Sequence, residues 1–125
     1  MSAINIDQPQ IIQDRAFEFA CRIVKLHRFL CRNGSTSSTI AGQILRSGTS
    51  IGANLEEASA GQSKPDFTSK CNIALKEARE TYYWIRLLTA CELVPKKKLE
   101  PLLVEANEIV AILTTIVKKS RLSQT

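Results

Sequence analysis

Residues 60–67 read Ala60-Gly61-Gln62-Ser63-Lys64-Pro65-Asp66-Phe67, which places a helix stop and a helix start side by side. Gly61 ends one helix, since glycine most readily closes a helix C-terminus. Ser63-Lys64-Pro65-Asp66 opens the next as a capping box, with Pro65 in the first turn, where its missing N–H is not needed. So short a connection cannot carry the chain back along a helix, so the two helices it joins run antiparallel.

Upstream, Ile40, Ile44, Ser47, Ile51, Asn54 and Ala58 share one helical face, and Ser35-Thr36-Ser37-Ser38 offers several N-caps, which predicts a helix over about 37–60. Before it, Ile12, Ala16, Phe19, Ile23, Leu26 and Leu30 step by three and four, with Asn33-Gly34 as the stop, so a first helix spans about 9–33. Downstream, Phe67, Cys71, Ala74, Ala78, Thr81, Ile85 and Leu88 mark a third helix over about 64–92. Pro95 restarts the chain after a two-residue break, and Leu99, Leu103, Ala106, Val110, Leu113 and Val117 mark a fourth over about 95–120. Pro101 lies inside that last pattern and predicts a kink or a late helix start. The expected fold is all-α: an antiparallel up-and-down four-helix bundle over residues 9–120, with an N-terminal extension at 1–8 and a C-terminal tail at 121–125.

Composition fits this reading. The 125 residues suit one domain, and 44% hydrophobic with 23% charged residues is neither disordered nor low-complexity. The four cysteines, Cys21, Cys31, Cys71 and Cys91, match no zinc spacing and read as buried free thiols in a reducing compartment. The first residues hold no basic segment followed by an apolar core, and no apolar run approaches the ~20 residues of a membrane span, so a cytoplasmic protein is expected. Bundle-core di-iron sites need Glu-x-x-His on two helices, whereas this chain has one histidine, His27, with no apparent nucleophile partner. There is no phosphate-binding glycine loop and no nucleophile elbow, so neither catalysis, nor a metal, nor a cofactor is expected.

Two features point to association. Leu102, Ile109, Ile112 and Ile116 form a second apolar row on the fourth helix, and Ile73, Trp84, Leu87 and Cys91 do so on the third, which predicts a homo-oligomer. Ser47, Gly48, Ser50 and Gly52 put small residues mid-helix, where each glycine costs about 1 kcal/mol relative to alanine. Close approach of a neighbouring helix backbone, or of a ligand or partner backbone, would offset that cost.

Charge supplies the functional hint. Seventeen Lys and Arg against twelve Asp and Glu give a net charge of +5, which invites a polyanionic partner. In the antiparallel arrangement Lys25, Arg28, Arg32, Lys96, Lys97 and Lys98 gather at one pole. Lys96, Lys97 and Lys98 at a helix N-terminus oppose the macrodipole, which hints at another use for them. With few aromatics nearby, the expected mode is phosphate contact to RNA or DNA rather than base stacking. Ser50, Asn54, Glu57, Glu77 and Glu80 are polar on inward faces and read as a structural network or an interface, with Lys76, Arg79 and Arg86 as local partners for the carboxylates.

The stretch Ile44-Leu45-Arg46-Ser47-Gly48-Thr49-Ser50-Ile51-Gly52-Ala53-Asn54-Leu55-Glu56-Glu57-Ala58, with Asp66-Phe67 and residues 73–84, resembles the bacterial four-helix bundle protein family. This is also called the 23S rRNA-intervening sequence protein family, after insertions in large-subunit rRNA genes that encode some members. The resemblance covers about residues 10–120 and implies a left-handed bundle assembled as a homopentamer. It also implies a distant likeness to the accessory protein of diversity-generating retroelements, a basic barrel that binds nucleic acid and a reverse transcriptase. Ser50, Asn54, Glu57 and Glu80 match the family's polar positions, while Ala58 replaces a glycine often found there. The expected function is a non-enzymatic oligomeric scaffold contacting RNA or DNA through its basic pole; the alternative is a protein-binding adaptor whose charge serves solubility.

Overall fold

Helix α1 (Pro9–Leu30) buries all six residues of its predicted face, from Ile12 through Leu30, and leaves Glu18, Arg22 and Lys25 in solvent. It belongs to a computed structural model that describes residues 9–32, 34–61 and 63–123. The expected extension over 1–8, and Asn33 of the expected Asn33-Gly34 stop, lie outside the described residues. Helix α1 closes three residues earlier than its periodicity predicts, with Cys31 and Arg32 in a turn.

Helix α2 (Ser35–Ser59) begins two residues before its predicted start, and its cap is not one of the serines. Gly34 stands at the N-cap with φ 105, a left-handed backbone that glycine adopts without strain, and its carbonyl accepts the first bond from Ser38 N (3.0 Å). The buried stripe of α2 is Ser37, Ala41, Ile44, Ser47, Gly48, Ile51, Gly52, Leu55 and Ala58, so Ile40 and Asn54 lie at its edges rather than within it. Helix α3 (Lys64–Ala90) starts as predicted: Asp66 N donates to Ser63 Oγ (3.2 Å), with Pro65 in the first turn. It ends in a Schellman motif, in which Glu92 N reaches Thr89 O and Leu93 N reaches Leu88 O, both at 3.2 Å. Glu92 takes the left-handed position that glycine usually fills, with φ 55. Helix α4 (Lys96–Leu122) runs unbroken through Pro101, which rules out a late start; that proline is exposed on the second turn, where water can serve the carbonyl it leaves without a donor.

The four helices form a closed ring in the order α1, α2, α3, α4, in which α1 and α3 stand diagonally across the shared core. The predicted bundle is therefore observed, and the described residues include no strand. Of the small residues of α2, Gly48 is explained by α1, since a Cβ there would stand 2.8 Å from Ile23 Cγ1, whereas one on Gly52 would meet Ala16 only at an ordinary 3.7 Å. The second apolar row of α4 does not form an outer seam. Leu102, Ile109 and Ile116 are buried within this chain and Ile112 is half-buried against its core, because α4 has neighbours on two sides and needs a wide arc to meet both. On α3 the second row is partly open: Ile73 is exposed and Trp84 and Leu87 are half-buried.

Among the cysteines only Cys71 is buried, and burial pushes its thiol up to about 11. Cys21, Cys31 and Cys91 are exposed, which corrects the expectation that all four are core residues. They occupy outer positions or turns, where helix periodicity had placed no core residue.

Candidate functional site

The pole where α1 ends and α4 begins carries the predicted cations. Lys25, Arg28, Arg32, Lys96, Lys97 and Lys98 are all exposed, and among the described residues none of them forms an ion pair. No acidic residue occupies the first turn of α4, so nothing there offsets the unfavourable placement of three lysines against the helix dipole.

The structure adds a groove that the sequence reading missed. The α1/α4 seam is the least closely packed of the four. It is held at one level by Arg15, which pairs with Glu105 through Nε (3.0 Å) and Nη2 (2.7 Å) and with Glu108 at 2.8 Å. Chiefly through the Glu105 bonds, and against its own partial burial, this guanidinium is held charged more firmly than usual. Two turns along α1 the seam opens into a groove of about 270 Å³. Leu26, Phe29 and Leu102 line it, with Arg22, Lys25 and Lys98 around them. The Lys98 ammonium lies 4.3 Å from the centroid of the Phe29 ring.

The pole expected to hold few aromatics does include Phe29, which lies beside the basic residues. Arg22, Lys25 and Phe29 stand at i, i+3 and i+7 on α1, a spacing that could have flagged them as one surface. Of the predicted cations, Lys25 and Lys98 are brought to the same groove, whereas Arg28, Arg32, Lys96 and Lys97 stand around the pole without lining it.

The inward polar residues divide into separate groups. Asn54 Nδ2 donates to the Ser50 carbonyl (2.9 Å) and to Ser50 Oγ (3.1 Å) within α2. Glu77 and Glu80 of α3 are both met by Arg46 of α2, with Nη1 3.2 Å from Glu77 and Nη2 bonded to Glu80. Trp84 Nε1 also donates to Glu80 Oε2 (3.0 Å). The carboxylates' partner is thus Arg46, not Lys76, Arg79 or Arg86; all three are exposed, and Arg86 lies over the Tyr82 ring. Glu57 is exposed rather than inward. Beneath these groups Thr81 Oγ1 hydrogen-bonds buried Ser47 Oγ (2.8 Å), which fixes α3 against α2.

His27, on the same stretch of α1, has its Nε2 3.5 Å from Cys31 Sγ, so a thiol neighbours it after all, one helical turn away on an exposed surface. Among the described residues no group of three or more His, Cys, Asp or Glu is placed to hold a metal ion. No described helix is long and apolar enough to cross a membrane.

An all-α bundle with one densely basic, unpaired pole and an ordered polar seam between α2 and α3 defines the class of this protein. Its family follows from comparison: the pattern of the 23S rRNA-intervening sequence protein family matches residues 8–115, and the chain belongs to that family. A crystal structure of a protein with unknown function from the S23 ribosomal protein family of Bacteroides thetaiotaomicron is similar to it, at 45% identity and a TM-score of 0.81. The match covers 88% of this chain and 97% of that one. No curated protein matches the chain.

Proposed function

We propose that this protein is a non-enzymatic oligomeric scaffold that contacts RNA or DNA through its basic pole. The observation that carries the reading is the set of six exposed cations, Lys25, Arg28, Arg32, Lys96, Lys97 and Lys98, gathered at one end with no ion-pair partner among the described residues. Cations serving only solubility gain by being dispersed among carboxylates and, on helices, by lying near C-termini. Three consecutive lysines at a helix N-terminus do neither, and a phosphate backbone would use all of them.

Self-association is supported by exposed apolar residues on two helices that are not neighbours in the ring. Helix α1 presents Phe17, which is 66% exposed, with Cys21 and Val24 along the same row. Helix α3 presents Ile73 and Tyr83, the latter 52% exposed and edge-on to Trp84. Two unlike patches favour head-to-tail association, which closes into rings such as the pentamer that the family resemblance implies. Native mass spectrometry of the intact protein reads the subunit number, and a monomer at micromolar concentration would remove the oligomeric part of the reading.

Nucleic-acid contact is tested by fluorescence anisotropy with labelled RNA and DNA at several salt concentrations, alongside the Lys96, Lys97 and Lys98 triple alanine variant. Binding that weakens steeply with salt, with a slope shallower by about two to three in the variant, is expected. Absence of binding at low salt would refute it and leave the protein-binding adaptor as the reading to pursue.

A further inference from the structure

We propose that the α1/α4 groove is a socket for one unstacked base of a single-stranded nucleic acid, with the flanking phosphates on Arg22, Lys25 and Lys98. The inference rests on the basic pole being a nucleic-acid surface, and it names the form of nucleic acid that this surface prefers.

Bare phosphate does not explain the groove. A phosphate oxygen gains from cations and donors, whereas Leu26 and Leu102 in this groove are almost wholly buried and carry no polar atom in their side chains. The ligand that fits has an apolar face and an anionic edge, and a nucleotide has both. Cations are supplied by both helices, Arg22 and Lys25 from α1 and Lys98 from α4, and no carboxylate lines the groove. A strand lying along the seam would therefore meet positive charge on either side of the socket. Phe29 is the element that turns a basic surface into a base site: an aromatic face accepts any base by stacking, and the flexible Lys98 side chain that lies over the ring would swing out to a flanking phosphate as the base enters.

Size narrows the occupant. At about 270 Å³ the groove falls just below the range of drug-sized sites, which suits one planar group. An amphipathic helix docks through a row of anchors in a continuous trough. Here the Arg15 pairs with Glu105 and Glu108 span the seam beyond the groove, so the apolar lining amounts to a single socket. A duplex keeps its bases stacked inside and can offer only its phosphates, so it would use the surrounding cations and leave the socket unfilled.

The test compares a labelled single strand, the matching duplex and the free mononucleotide on the full-length protein. Phe29→Leu keeps an apolar side chain against Leu26 and Leu102 but removes the stacking face. It should weaken the single strand about tenfold, as loss of one base–aromatic stack does, with duplex affinity and both salt slopes unchanged. A 2-aminopurine in the strand should change fluorescence on binding to the wild type and not to the variant. Because Phe29 packs against the core, a charge-matched pair of exposed variants provides a second arm: Lys98→Met at the socket and Lys97→Met outside it. Lys98→Met should weaken the single strand several-fold more than Lys97→Met, while the two should be equal on the duplex. The mononucleotide should bind far more weakly than the strand, because it lacks the neighbouring phosphates. Equal affinity for single strand and duplex, or equal effects of the two lysine variants on the strand, would overturn the socket and leave the basic pole as a plain phosphate surface. Failure of every form to bind at low salt would instead overturn the nucleic-acid reading itself.

Discussion

Replacing Gly48 and Gly42 separately by alanine should move stability in opposite directions, although both glycines lie inside α2. On helix propensity alone each change gains about 1 kcal/mol. At Gly42 the new methyl meets nothing within 4 Å, so the gain should appear in full. At Gly48 the methyl would stand 2.8 and 2.9 Å from Cγ1 and Cγ2 of Ile23, a fully buried, β-branched side chain that cannot swing aside. Overpacking of this kind costs about 1–3 kcal/mol, and two contacts this short belong near the upper end, which leaves a net loss of about 2 kcal/mol. The two variants should then differ by about 3 kcal/mol, or on the order of 10 °C in Tm for a chain of this size. Gly52→Ala, whose methyl would meet Ala16 only at ordinary contact distance (3.7 Å), should fall between them. Guanidinium denaturation followed by circular dichroism and by the fluorescence of Trp84, at fixed protein concentration, reads the differences. A Gly48→Ala variant as stable as Gly42→Ala would refute the close α1–α2 approach. The Gly48→Ala, Ile23→Ala double variant should lose less than the sum of its parts, since the first methyl occupies space that the second change vacates.

Glu92→Gly should stabilise the protein by about 1 kcal/mol in the same assay, because glycine fits the left-handed position that closes α3 without a Cβ conflict. Arg15→Met should cost about 1–2 kcal/mol, more than an exposed ion pair, because Arg15 and Glu105 are each only 20% exposed and doubly bonded; Glu108→Gln, on the half-exposed partner, should cost less. Cys71 should resist a thiol reagent that modifies Cys21, Cys31 and Cys91 in the folded protein. Its folded-state value lies above the unfolded one, so its contribution is complete below pH 9 and is lost as pH rises towards 11. Wild type should therefore lose on the order of 2 kcal/mol over that interval relative to Cys71→Ala, and parallel pH profiles would contradict the burial argument.

What could be read from the sequence, and what could not, divides along one physical line. The faces of α1 and α3 follow from a period of 3.6 alone, and the Ser63–Asp66 cap from local hydrogen bonding, so both were legible. The apolar row of Leu102, Ile109, Ile112 and Ile116 was legible as a row but assigned to an outer surface, whereas three of the four are buried and Ile112 is half-buried, because periodicity does not say how many neighbours a helix has. Arg46 as the partner of Glu77 and Glu80 was not legible, since it depends on the axial register of α2 against α3, and nothing local to either helix sets that register. The groove escaped for the same reason: its two sides, Arg22 to Phe29 and Lys98 to Leu102, lie far apart in the chain and meet only once the ring has closed.

Closure of the ring also accounts for where the groove lies. Three of the four seams join helices consecutive in the chain, and each has a special device: Gly48 of α2 against Ile23 of α1, the Ser47–Thr81 bond between α2 and α3, and the buried Thr68–Ser120 hydroxyl bond between α3 and α4. The fourth seam joins the first helix to the last, packs less closely, and is fastened by Arg15 at one level rather than along its length. Full apolar closure beyond that clamp would require small residues or a tight mesh on the facing surfaces. Instead α1 offers Arg22, Lys25 and Phe29 and α4 offers Lys98 and Pro101, long or rigid side chains with the groove between them. An open seam lined with apolar side chains and surrounded by cations is a poor way to stabilise a bundle of this size, whereas it is well suited to receive a nucleotide.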